Sequence, residues 1–277
     1  MKKCLYLFIF IYLIYLFRHN KEIIKYLTEV NTIFFTKYIV SLFPFILTTN
    51  LILSNGLLID FHRFFTKQKL IFIYDLFIII IIILIGIPGN INLLNYLEKT
   101  NIISNKRKNL LLNSFGGISF PFLYFVILNQ SQNKVKILVV LLIIEFLFYL
   151  LNKEKEKYKE VTYASYQINI VSKTGYSLYV VFFSLLTFSS LYLLFDFLPT
   201  PFSYFFNGLV EFSINLIYLS KETSLIPSLL FTFLLSFTSI SLISQIILID
   251  PHINIMDYIK KRAIIALLVT ILIFLSS

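Results

Sequence analysis

The sequence predicts an all-α fold: a polytopic transmembrane helical bundle with two inverted repeats and re-entrant or broken helices. Three observations carry this expectation. Of the 277 residues, 58% are hydrophobic and mean hydropathy is +0.85, which is more apolar surface than a soluble domain of this size can bury. Glycine, proline and small polar residues form islands inside the apolar runs, where an uninterrupted membrane helix would exclude them. The islands also repeat. Ser114-Phe115-Gly116-Gly117-Ile118-Ser119 returns 122 positions later as Ser236-Phe237-Thr238-Ser239-Ile240-Ser241, and Gly86 and Gly208 share that spacing. Ile91-Asn92-Leu93 precedes the first copy much as Ile214-Asn215-Leu216 precedes the second. A chain this rich in Ile, Leu, Phe and Ser echoes itself by chance, but two echoes in one order and nearly one register favour duplication, with a polar site where the halves meet.

Four sections are expected in order. Residues 1–31 form an N-terminal membrane anchor and polar loop, 32–151 the first repeat, 152–160 a charged linker and 161–277 the second repeat. The anchor follows from Lys2-Lys3, the apolar run 5–17 and Arg18, with no small-residue cleavage site between them. Residues 32–59 are a long apolar run with Pro44 inside it, which predicts a bend. Residues 60–69 read as a basic loop. Residues 70–85 are apolar and run into Gly86-Ile87-Pro88-Gly89-Asn90, where a helix should break. Residues 98–109 are polar and basic, and 110–128 are interrupted by Gly116, Gly117 and Pro121. Residues 135–151 are a clean span apart from Glu145, and 176–198 form a span that Pro199 and Pro201 stop. Residues 202–219 carry Glu211, Ser213 and Asn215, residues 226–249 carry Thr238, Ser239, Ser241 and Gln245, and 262–275 close the chain.

A net charge of +10 raises nucleic acid as a partner. The placement of the cations argues against it. They sit in short stretches between apolar runs (Arg63, Lys67 and Lys69; Lys106 to Lys108; Lys153 to Lys159; Lys260 to Arg262), as topology signals and lipid-headgroup contacts do. The stretch 196–207 has no basic residue, which places it outside and the two lysine-rich stretches after it and before it inside. With 226–249 as one crossing, 202–219 must then enter and leave on the outer side. The expected partners are the lipid bilayer, a small polar solute and other membrane proteins, and the expected location is a bacterial inner membrane crossed several times.

No enzymatic chemistry is expected. Cys4 is the only cysteine, and His19, His62 and His252 have no second ligand one turn away, so no metal or other cofactor is called for. No phosphate-binding loop, nucleophile elbow or dinucleotide fingerprint occurs. The chemistry expected is that of a polar pocket. Glu211 is the first candidate, because a carboxylate in an apolar hairpin must be paired, protonated or wet; a hairpin tip near water is the equally weighted alternative. Ser241 and Gln245 lie one turn apart on one helix face and, with Thr238 and Ser239, could line the same cavity, although such hydroxyls also bond between membrane helices. Asn92 and Asn215 are candidate symmetry mates, with Ser119 and Ser213 beside them in sequence pattern. Gly86, Pro88, Gly89, Gly116, Gly117 and Pro121 are expected to shape the backbone rather than touch a ligand. Glu145 is a proton-relay group or the partner of a lysine, while Asp75 and Asp196 are expected at the interface.

These interruptions resemble the sporulation integral membrane proteins with a nucleoside-recognition, or Gate, domain. Ser41-Leu42-Phe43-Pro44-Phe45 looks like that family's first span, Gly86-Ile87-Pro88-Gly89 like its Gly-aromatic-Pro-x-Gly, and Ser114-Phe115 with Pro121 frame its third motif. Glu211-Phe212-Ser213 looks like the fourth, and Phe237, Ser241 and Gln245 fall on the fifth. The resemblance runs from about residue 32 to the C-terminus. It departs at Gly116-Gly117-Ile118, where the family has Cys-Asn-Asn, and at Thr238-Ser239, where it has Gly-Gly. The resemblance implies an architecture like that of concentrative nucleoside transporters and a role in making the spore envelope. It also shifts Glu211 towards a functional role.

Overall fold

A computed structural model describes residues 2–117, 132–154, 169–211, 219 and 224–276 of the chain. Among these residues the protein is all-helical. In order come α1 (Lys2–Arg18), α2 (Asn20–Ile33), a π-helical turn (Phe34–Tyr38), α3 (Ile39–Ser54), α4 (Leu57–Lys67), α5 (Ile71–Ile85), α6 (Gly89–Lys99) and α7 (Asn105–Phe115). There follow α8 (Gln132–Asn152), α9 (Ile170–Ser189), a 3-10 turn (Tyr192–Phe195), α10 (Thr200–Val210), α11 (Leu225–Phe237), α12 (Ile240–Ile249) and α13 (Ile255–Leu275).

Three segments are long and apolar enough to cross a membrane: Val135–Asn152, Ile170–Ser189 and Leu225–Ile249. The pair Leu42–Ser54 and Leu57–Lys67, bent by 68°, would add a fourth if it counts as one span. The helix surfaces are patterned accordingly. Helix α8 turns Val135, Val139, Ile143, Leu147 and Leu150 outward, yet buries Glu145 and Tyr149 on its other face. An apolar stripe outside and a carboxylate inside is the reverse of a helix in water, and it is what lipid contact requires.

Three stretches expected as loops are helical. Residues 60–69 fall largely within α4, whose face of Leu58, Ile59 and His62 is buried. The basic residues 106–108 open α7, which Ser104 caps by accepting a hydrogen bond from Arg107 N at 3.2 Å. Lys260 to Arg262 lie in the second turn of α13, which Asn254 caps through Asp257 N at 3.1 Å. A side-chain cap at α7 and α13, and a buried apolar face at α4, outweigh the local charge.

One end of the bundle gathers the ion pairs. Asp75 in α5 accepts from Arg107 and, at 2.8 Å, from Lys153. Lys108 donates to Glu98 near the end of α6 at 2.8 Å and to Asp250 after α12 at 2.7 Å. Asp75 is therefore buried and paired, where the sequence placed it at an interface. Because the neighbours Arg107 and Lys108 hold the start of α5 and the end of α6, those two helices leave from and return to the same end. At the other end, Lys136 near the start of α8 donates to the carbonyl of Ser276 after α13 at 2.7 Å. Thr200 and Pro201, which open α10, line an apolar cleft with Leu225 and Ile226, which open α11. The span Leu225–Ile249 runs into Asp250, which Lys108 holds at the charged end, so α11 runs inward from the opposite end whereas α7 runs inward from the charged one.

Candidate functional site: a junction of two helix ends

Two of the expected breaks are directly visible. Helix α5 stops at Ile85, Gly86 takes φ 74° and ψ 171°, and α6 starts at Gly89. Helix α11 stops at Phe237, Thr238 takes φ 83° and ψ 163°, and α12 starts at Ile240. Both residues adopt nearly the same backbone, one that glycine enters freely and a β-branched residue enters only under strain. Helix α7 ends at Phe115, with Gly116 as its C-cap in a right-handed conformation (φ −61°, ψ −27°).

The ends of α7 and α11 meet on one side chain, Arg262. Its Nη1 donates to the carbonyl of Ser114 at 3.1 Å and to Oε1 of Glu145 at 2.5 Å, and its Nη2 donates to the carbonyl of Ser236. Ser114 and Ser236 open the two occurrences of the short sequence pattern that lie 122 positions apart. Arg262 and Glu145 are both 0% exposed. Each lies seven residues in from the charged end of its helix, a depth of about 10 Å at the rise of an α-helix. The planar guanidinium fork suits this task, since it aims several donors in fixed directions and never loses its charge.

The junction is tight. A Cβ added at Gly117 would lie 2.4 Å from Nη2 of Arg262 and 2.6 Å from Cγ2 of Thr238. Gly117 therefore matters through the close approach of the two breaks, as expected of a residue that shapes the backbone. Around the fork lie polar atoms with no hydrogen-bond partner among the described residues: Oγ of Ser114, Oε2 of Glu145, the hydroxyl of Tyr149 and Nε of Arg262. Tyr149 stacks obliquely on Phe115, with ring centroids 5.6 Å apart.

The other expected site residues are placed as follows. Glu211 is fully buried and ends α10 in an extended conformation (φ −143°, ψ 112°). Thr238, Ser239, Ser241 and Gln245 are all buried. Ser239 is the N-cap of α12, its hydroxyl accepting from Leu242 N at 3.3 Å. Asn92 donates from Nδ2 to Oγ of Ser177 at 3.3 Å, joining α6 to α9. A Cβ at Gly89 would meet Cγ2 of Ile85 at 2.1 Å, which marks a close turn around Pro88. Ser119, Pro121, Ser213 and Asn215 lie outside the described residues. Among the described residues no three His, Cys, Asp or Glu side chains come together in a metal-ligating group.

Arg262 is the residue that sequence reasoning missed, having been grouped with its basic neighbours as a topology signal. The signal was present in its spacing. Tyr258, Arg262, Ile265, Ala266, Val269 and Ile273 form the buried stripe of α13, and a cation on such a stripe needs an internal carboxylate. No family model, curated protein or solved structure matches this chain.

Proposed function

We propose that this chain is an integral membrane protein with a transporter-like, inverted-repeat architecture that moves or binds a small polar solute. The observation that carries the reading is the clasp of Arg262 on Ser114 and Ser236, equivalent residues of two sequence repeats whose helices enter from opposite ends. The helix boundaries support it. Shifted by the 122-residue spacing of the repeat, α7 and α8 fall within two residues of the bounds of α11 and α13. Helices α5 and α6, tied at one end, would be a re-entrant hairpin from the charged side. Helix α10, which starts beside Leu225 at the other side and ends at Glu211, would be the first arm of its inverted counterpart. Discontinuous helices of this kind expose backbone groups that hold polar solutes and ions at membrane depth. The Gate-like motifs at Gly86-Ile87-Pro88-Gly89 and Glu211-Phe212-Ser213 agree with this reading, and with it a bacterial inner membrane and a role in spore formation.

A second reading, a non-transporting component of envelope assembly that acts through protein partners, is favoured by one observation. The junction is filled by a side chain of the protein itself, with no room for a methyl group at Gly117. Uptake into proteoliposomes separates the two. Wild-type protein should take up at least one of a panel of nucleosides, amino acids and small organic acids above empty liposomes, and Glu211→Gln should reduce that flux at least tenfold. Flux no greater than empty liposomes for the whole panel would leave the second reading in place.

A further inference from the structure

We propose that Arg262 is a built-in counter-ion: its guanidinium takes the place that a monovalent metal cation would hold between two opposed helix C-termini, so that the solute is bound and moved without Na+ or K+. The proposal rests on the transporter reading for the solute, but not for the ion. A helix C-terminus carries about half a negative charge, and α7 and α11 bring two of them together with the carboxylate of Glu145. Such ends, together with unwound carbonyls, are the groups that coordinate Na+ in transporters with broken helices. Here three such oxygens converge: the carbonyls of Ser114 and Ser236 and Oε1 of Glu145. Every one of the three accepts an N–H of Arg262. The pair is sealed from solvent, and on the Gly117 side the guanidinium leaves no room even for a methyl group. Arginine stays protonated at all accessible pH, so this charge neither dissociates nor titrates. A lysine would bring the charge as a point and not the fork that spans three acceptors.

The test uses full-length protein in detergent, with melting followed by circular dichroism at a constant ionic strength of about 150 mM. Wild type should melt at the same temperature, within about 1 °C, in sodium, potassium or choline chloride. Arg262→Ala should melt lower in choline and recover by about 3 °C or more when Na+ or roughly 10 mM guanidinium replaces part of it, as ligand linkage requires. Arg262→Gln, which keeps a donor for the carbonyls, is read in the same way should the alanine variant not fold. Saturable binding of radioactive sodium to wild type would overturn the proposal. So would indifference of both variants to both ions, which would reduce Arg262 to a structural clasp. None of these readouts measures solute, so a protein that fails every uptake assay can still pass them. Where uptake is found, replacing Na+ with choline should leave its rate unchanged.

Discussion

The Arg262–Glu145 pair should not behave like an ordinary buried ion pair, and a double-mutant cycle can show this. Buried pairs can often be replaced by apolar residues at little cost, whereas removing one partner costs about 3–5 kcal/mol. Here Arg262 also satisfies two main-chain carbonyls, and an orphaned buried carbonyl costs about 1–3 kcal/mol. Arg262→Met strips all three acceptors at once, so its cost should reach about 5 kcal/mol or more, a large share of a typical total stability of 5–15 kcal/mol. Glu145→Gln keeps an acceptor for Nη1, and the two carbonyls still face the guanidinium, so its cost should stay at the low end of the single-partner range, about 3 kcal/mol. The double variant no longer buries a lone carboxylate but still orphans the carbonyls of Ser114 and Ser236, which sets its cost at about 2–6 kcal/mol. The expected order of stability is wild type, Glu145→Gln, the double variant, then Arg262→Met. Adding Glu145→Gln to Arg262→Met should therefore raise the melting temperature. Melting in detergent by circular dichroism reads the order, with each 1 kcal/mol worth about 2–4 °C in a chain of this size class. A double variant as stable as wild type would refute the reasoning, because it would mean that the two helix ends do not depend on the guanidinium.

Three further outcomes are expected. Thr238→Gly should raise the melting temperature by an amount corresponding to about 1–2 kcal/mol, because it relieves a β-branched residue at φ 83°; a fall would show that Thr238 packing outweighs backbone strain. Ser239→Ala should cost about 1 kcal/mol through loss of the α12 cap while leaving solute affinity unchanged, and a loss of affinity at full stability would return Ser239 to the ligand site. The third outcome concerns pH. Burial opposes the charged form of Asp250, but hydrogen bonds from Lys108 and the His252 amide overcome this and hold the carboxyl below its usual value. A depressed carboxyl gives stability that is present above its unfolded pKa and lost as pH falls through the folded one. Lys108 is shifted the other way: burial opposes its charge, and Asp250 and Glu98 more than offset that and hold it above its ordinary value. Its contribution is present below the unfolded lysine pKa and lost only as strongly alkaline pH passes the folded one. Melting between pH 7 and about pH 3 should therefore fall less steeply in Lys108→Met than in wild type; equal slopes would show that Asp250 is not held by Lys108.

Much of the backbone plan was legible in the sequence because glycine and proline act locally. Gly86 and Pro88 stop α5 wherever the rest of the chain lies, and the repeat of Ser114-Phe115 in Ser236-Phe237 marked the two helix ends that meet. Thr238 was legible as an interruption, though not as a residue in a glycine-like conformation, since nothing local announces strain that packing imposes. The centre of the site was not legible. Arg262 follows Lys260 and Lys261, and a run of three cations reads as one feature until helical phase separates them. Lys261 pairs with Asp257 near the surface at 2.8 Å, while Arg262 turns inward to a carboxylate 117 residues away in sequence. Arg107 and Lys108 were concealed in the same way. Pairing across the bundle depends on which helices are neighbours, and composition and spacing do not carry that information.

The clasp of Asp75 and Glu98 by Arg107 and Lys108 has a consequence for biosynthesis. Helices α5 and α6 leave the ribosome before the two residues that tie down their ends. Lys153 reaches Asp75 only after another whole helix has been made, and Asp250, which shares Lys108 with Glu98, arrives later still. A nascent chain therefore carries an early hairpin whose fastenings are still to be translated. C-terminal truncations should be felt first in that upstream hairpin, by proteolytic nicking near Gly86 rather than near the cut.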